Sequence, residues 1–178
     1  MKDTQGCIWL HCDNALHRIE FNDKGEVQIL STLSPVYLNG PDIALKDIDE
    51  DGKIWMGNNG EIRKVALSPQ KRLITIPIAD CLKFETGTYI SDFLCKENEV
   101  WISSDRGLFR YNKSGNVIKR YEHDSGNSYS LSQNYLTSLA ITSDKQLIVA
   151  TLRGINIYNP MTDNFERIAC DLPNGGTN

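Results

Sequence analysis

The sequence predicts an all-β protein, a β-propeller segment of about four blades of four antiparallel strands, with the first blade incomplete. Three observations predict it. Trp9, Trp55 and Trp101 recur at intervals of 46 residues, and Ile148 takes the same place 47 residues further on. Seven residues after these anchors stand Leu16, Ile62, Leu108 and Ile155, and ten after them Ile19, Val65, Tyr111 and Tyr158. Short stretches rich in β-branched and aromatic residues alternate with turn signals throughout, and no segment reads as a helix. A repeat of this length matches the roughly 40–50 residues that four strands and their turns occupy in a propeller blade.

Each element follows from local pattern. The first unit supplies three strands, at 6–11, 15–21 and 26–32, and lacks its innermost one. The second supplies 42–49, 52–58, 61–67 and 72–78; the third 89–96, 99–104, 107–112 and 117–122; the fourth 135–142, 145–151, 154–159 and 164–169. The blades therefore run over about 6–33, 42–79, 89–123 and 135–170 within a single segment, 1–178. Asp51-Gly52 supplies a tight hairpin turn because glycine tolerates positive φ, and Asp23-Lys24-Gly25 and Lys113-Ser114-Gly115 act likewise. Ile54-Trp55-Met56 and Val100-Trp101-Ile102 are apolar on both alternating positions, so both sheet faces are covered, as in stacked blades. A β-sandwich would show one wet face per sheet and no such repeat.

Composition narrows the function. The chain has 178 residues, 40% hydrophobic and 24% charged, as in ordinary globular proteins. Nineteen Lys and Arg against 23 Asp and Glu give a net charge of −4, with no basic stripe, so nucleic acid is not an expected partner. Five cysteines without a CxxC pair and three histidines draw no metal cluster; mostly buried thiols, no metal and no cofactor are expected. No run approaches the ~20 apolar residues of a membrane helix, so no membrane contact by this segment is expected. The amino terminus lacks the apolar core of a signal peptide, which leaves a cytosolic protein or a piece of a longer secreted or membrane-bound parent.

The order of motifs in "DIDEDGKIWMG" (47–57), "EVWISSDRGLFRYNKSGNVIKRYEHDSGNSYSLSQNYLTSL" (99–139) and "LRGINIYNPMTDNFERI" (152–168) resembles the periplasmic propeller repeats of Bacteroides-type hybrid two-component sensor histidine kinases. The resemblance covers essentially the whole chain. It implies a periplasmic location and a sensor of oligosaccharide fragments, which in such receptors is joined through a transmembrane helix to kinase, receiver and DNA-binding modules. None of those modules is in this chain, so only the sensing part is expected here. The resemblance also implies a ring of about seven blades, within the range usual for propellers. An arc of four would leave two apolar end faces bare, and a homodimer closing the half-ring is the expected remedy.

Function in a propeller gathers on the face where loops leading into the inner strands meet those between second and third strands. These loops hold Asp13 and Asn14, Asn58 and Asn59, Asp105 and Arg106, and Arg153, beside Tyr37, Asn39, Tyr89 and the stretch from Tyr129 to Tyr135. Asn58, Asn59, Asp105, Arg106, Arg153, Tyr129 and Tyr135 are the candidate ligand-binding residues: amides, carboxylates and guanidinium groups for hydroxyls, tyrosines for stacking on sugar rings. The same types serve any solvated loop. The three tryptophans read as packing residues, and the acidic run Asp49-Glu50-Asp51 as a β-turn without calcium-loop spacing. No nucleophile elbow, catalytic triad order or phosphate loop is present, so no catalytic residue is assigned. Asp13 and Asp105 fall on the same expected face, which leaves a glycan-processing enzyme as one alternative and a protein-interaction scaffold as the other.

Overall fold

A computed structural model of the chain describes residues 1–3, 6–12, 15–33, 44–49, 51–58, 61–67, 73–76, 84–85, 87–112 and 116–168. Among the described residues, fifteen strands form four antiparallel sheets and no helix occurs. The first sheet holds β1 (Ile8–Cys12), β2 (Ala15–Phe21) and β3 (Val27–Leu33). The second holds β4 (Ala44–Ile48), β5 (Ile54–Asn58), β6 (Glu61–Leu67) and β7 (Leu73–Ile76). The third holds β8 (Ile90–Lys96), β9 (Glu99–Ser104), β10 (Gly107–Asn112) and β11 (Val117–Tyr121). The fourth holds β12 (Leu136–Ile141), β13 (Leu147–Thr151), β14 (Gly154–Asn159) and β15 (Asn164–Ile168). Each sheet is a meander in chain order, the blade topology of a propeller, and the strands fall within about two residues of the predicted ones.

The first sheet has the expected three strands, with an isolated bridge at its inner edge. Lys2 bridges Ile8, and Met1 exchanges both backbone hydrogen bonds with Trp9, so residues 1–3 lie where the innermost strand lies in the other blades.

One packing rule joins all four sheets. The anchor tryptophan and the residue seven positions later pack against three residues of the next blade: those one before, one after and ten after its own anchor. Trp9 and Leu16 thus meet Ile54, Met56 and Val65. Trp55 and Ile62 meet Val100, Ile102 and Tyr111. Trp101 and Leu108 meet Leu147, Val149 and Tyr158. All but Ile62 and Tyr158 of these are nearly or wholly excluded from water, at no more than 2% exposure. Truncating a tryptophan so buried typically costs about 3–5 kcal/mol, so these contacts dominate the cohesion between blades.

Two polar devices repeat beside this core. The first is a hairpin turn capped by its opening residue. Asp49 accepts the N–H groups of Asp51 and Lys53 on Oδ1, while its own N–H donates to the Lys53 carbonyl. Asp3, Asn22, Asn112 and Thr142 open turns with the same bond to the fourth residue on. Gly52 completes the Asp49 turn at a φ of 72°, where a side chain would be strained. In the second device an inner-strand carboxylate at a β-bulge reaches the next inner strand. Asp47 accepts the Cys95 N–H at 2.6 Å, and Asp92 accepts the Leu139 N–H at 2.9 Å. The register shifts between Leu45 and Asp47 and between Ile90 and Asp92 aim these side chains outward along the ring. Burial pushes the Asp47 carboxyl above its ordinary range, against the hydrogen bonds from Cys95 and Ile48 that favour its ionised form.

Among the cysteines, Cys7 is buried and Cys95 half-buried, but Cys12 is exposed at the end of β1, where the strand meets solvent; Cys81 and Cys170 lie outside the described residues.

Candidate functional site

The third and fourth blades bring several predicted site residues to one end of their sheets. The β9–β10 turn is Asp105-Arg106. The Asp105 carboxylate accepts the Tyr89 N–H at 3.0 Å, and the Asp105 N–H donates to the Tyr89 carbonyl at 3.0 Å. The turn is therefore buttoned to the segment leading into β8. Arg106 forms an ion pair with Glu85 on that same segment, and its N–H donates to the Ser104 hydroxyl. Gly107 follows with a φ of 110°; a Cβ there would lie 2.5 Å from the Tyr121 carbonyl oxygen, so only glycine fits. Its N–H donates to the Asn134 carbonyl, which draws Tyr135, 41% exposed, to the same end of the molecule.

Arg153 stands in the exposed β13–β14 turn, its N–H held by Thr151 Oγ1 at 3.0 Å. Thr151 in turn shares a hydroxyl contact of 2.9 Å with Ser132, on the segment leading into β12. Tyr89, Asp105, Arg106, Tyr135 and Arg153 thus decorate one end of two adjacent blades. Asp105 is engaged by a backbone N–H and Arg106 by Glu85, while Arg153 is exposed in its turn. What remains is a polar surface flanked by two exposed tyrosines.

Other expected members are placed differently. Asn58 ends β5, paired with Glu61 across the turn; Asn59, Asp13, Asn14, Tyr37 and Asn39 lie outside the described residues. Tyr129 is not with this group. Its carbonyl accepts the N–H of Phe165 on β15, the outermost strand of the fourth blade, so it stands at the outer rim rather than near the axis.

The reason is a guanidinium. From β15, Arg167 Nη2 donates to the carbonyls of Asn127 and Leu131 and to Ser130 Oγ, and its Nε to the Ser130 carbonyl at 2.8 Å. Leu131 is wholly buried beneath it. The Asn/Ser-rich segment is thereby wrapped outward around the fourth blade.

The seam between these blades carries a polar node that the sequence did not disclose. Asp163 accepts the hydroxyls of Tyr121 at 2.5 Å and Tyr158 at 2.7 Å, together with Lys119 Nζ at 2.5 Å. Burial pushes this carboxyl up, but the hydrogen bonds from Lys119, Tyr121 and Tyr158 outweigh it and hold the group at about 2. Burial, with Asp163 as acceptor, pushes both tyrosines above their ordinary range, so they remain donors. Arg110, whose guanidinium is tied to Glu99, lies 5.1 Å from the Trp101 ring. Among the described residues no group of His, Cys, Asp or Glu is placed to hold a metal ion, and no helix is long and apolar enough to cross a membrane.

No family profile and no curated protein matches the chain. Solved structures do. The extracellular domain of a hybrid two-component system from B. thetaiotaomicron matches over 100% of this chain and 22% of its own, with a TM-score of 0.70 and 21% identity. A second such domain from that organism matches over 94% of this chain and 21% of its own, with a TM-score of 0.60 and 23% identity. Virginiamycin B lyase from Staphylococcus aureus matches over 98% of this chain and 55% of its own, with a TM-score of 0.61 and 15% identity. The chain thus spans about a fifth of the length of the two-component neighbours. The fold read from the 46-residue repeat is the one observed: four stacked antiparallel sheets, a propeller segment of the kind found in the extracellular domains of hybrid two-component systems.

Proposed function

We propose that the chain is a ligand-sensing part of an extracytoplasmic two-component sensor, and that it binds oligosaccharide without turning it over. The observation that carries this reading is the alignment of the entire chain on the extracellular domain of such a sensor. Two exposed tyrosines beside polar turns suit sugar rings and hydroxyls. Lyases share the fold, so the reading is tested by incubating the protein with oligosaccharides and following both binding and products. Saturable binding with no new reducing ends supports it; new reducing ends would establish an enzyme, and a protein partner bound in place of glycans a scaffold.

The proposal extends to a partner. The receiving positions of the first blade are Ile8, Leu10 and Ile19, and the donating ones of the fourth are Ile148 and Ile155, the same places that interlock at all three internal seams. On the first blade Ile19 is buried and Ile8 half-buried, while Leu10, Phe21, Val27 and Ile29 on the same sheet are 43–64% exposed. Two copies joined head to tail, each fourth blade on the other's first, would repeat the internal packing and cover both faces.

A further inference from the structure

A cavity of about 210 Å³ opens at the outer rim between the third and fourth blades, away from the turns described above. Lys119 and Tyr121 of β11 line one side and Asn164 of β15 the other, with Asp124, Asn127 and Tyr129 from the intervening segment. We propose that this cavity is a saccharide subsite that takes one neutral pyranose ring, with Tyr129 as its stacking platform. The inference rests on the oligosaccharide reading given above and gives it a location.

Three features support it. Tyr129 is 62% exposed on a backbone that is bonded on both sides. Its N–H donates to Asn127 Oδ1 at 2.9 Å, and its carbonyl accepts the Phe165 N–H at 2.9 Å. The flanking residues are clamped by Arg167, so the ring is presented with little ordering left to lose on binding. Both cations of the lining are paired, Lys119 with Asp163 and Arg120 with Glu122, and the Asp124 carboxylate accepts the Gly126 N–H, so the lining offers polar groups to hydroxyls and no free cation to an anion. The volume is below that of drug-sized sites, which suits one ring with the rest of a chain leaving through the open side. A ring seated here would touch both blades next to the Asp163 node that joins them, so occupancy would bear directly on the seam.

The test is titration of the isotopically labelled full chain with the methyl pyranosides of glucose, galactose, mannose and xylose, followed by amide NMR. Saturable shifts at Asn127, Tyr129, Asn164 and Phe165 with at least one of them are expected. Tyr129→Ala should weaken that binding about tenfold, and Tyr129→Phe, which keeps the ring face, should stay within about threefold. Shifts confined to Tyr89, Asp105, Tyr135 and Arg153 would overturn the subsite and leave the sensing reading standing. No saturable shift anywhere would overturn the subsite, while the sensing reading stands or falls on the oligosaccharide incubation. Equal affinity of the wild type and Tyr129→Ala would overturn the role of Tyr129.

Discussion

The Asp49 carboxylate accepts the indole N–H of Trp55 at 3.0 Å, while its other oxygen caps the hairpin turn that separates them. Asp3 and Trp9 repeat the relationship at 2.9 Å one blade earlier. In each case a cation on the adjoining strand completes the group: Arg18 Nε lies 3.1 Å from Asp3, and Lys64 Nζ 3.5 Å from Asp49. One aspartate thus fixes a turn, orients the interblade tryptophan and neutralises a buried cation. The third blade breaks the pattern. Its hairpin is one residue shorter, Lys96 occupies the place of the aspartate opposite Glu99, and the buried Trp101 Nε1 has no hydrogen-bond partner.

Asp49→Ala should therefore destabilise the fold by about 3–5 kcal/mol, because it leaves Lys64 buried beside an apolar ring without its counter-charge and two turn N–H groups without an acceptor. Burial already pulls the Lys64 pKa down against the pull of Asp49, so the loss falls on a lysine poorly placed to stay charged. Urea unfolding measures the change; a cost under about 1 kcal/mol would remove the aspartate from its structural role.

The broken pattern predicts a contrast between tryptophans. Trp55→Phe and Trp101→Phe delete similar buried surface, but only the first strips a donor from a buried carboxylate. Trp55→Phe should cost about 1–2 kcal/mol more than Trp101→Phe in the same unfolding experiment. Equal costs would mean that the indole bond contributes nothing.

Acid should loosen the seam between the third and fourth blades. The Asp163 carboxyl is held at about 2, below its ordinary 3.8, so its contribution is complete above pH ~4 and is lost as pH falls toward 2. Its side chain is 40% exposed, so the effect is discounted for solvent screening to about 1 kcal/mol. Comparing stability at pH 5 and pH 2.5, Asp163→Asn should show a smaller loss than the wild type; identical slopes would exclude the node as the source.

Much of this was legible in the residues. The anchors and the positions seven and ten beyond them are the interlocking residues of the seams, because a propeller interface repeats with the blade and leaves its period in the sequence. Strand ends were legible where turn chemistry is local, as at Asp105-Arg106-Gly107. Placement of Tyr129 was not, because its segment is routed by Arg167, about 40 residues away, through bonds to backbone carbonyls that no side-chain pattern records. The carboxylates of Asp47 and Asp92 likewise looked like ordinary strand residues, since their partners are N–H groups a blade away.

The repeated lock is tested most directly by the solution mass of the chain, measured by light scattering on a sizing column across a concentration series. If Ile148 and Ile155 of one copy fit Ile8, Leu10 and Ile19 of another as the internal seams fit, the mass is twice the 20.1 kDa of one chain and holds on dilution. Changing Leu10 to Asp, which charges the exposed receiving face, should return it to 20.1 kDa. A wild-type chain that is a soluble monomer at micromolar concentration would contradict the head-to-tail pairing.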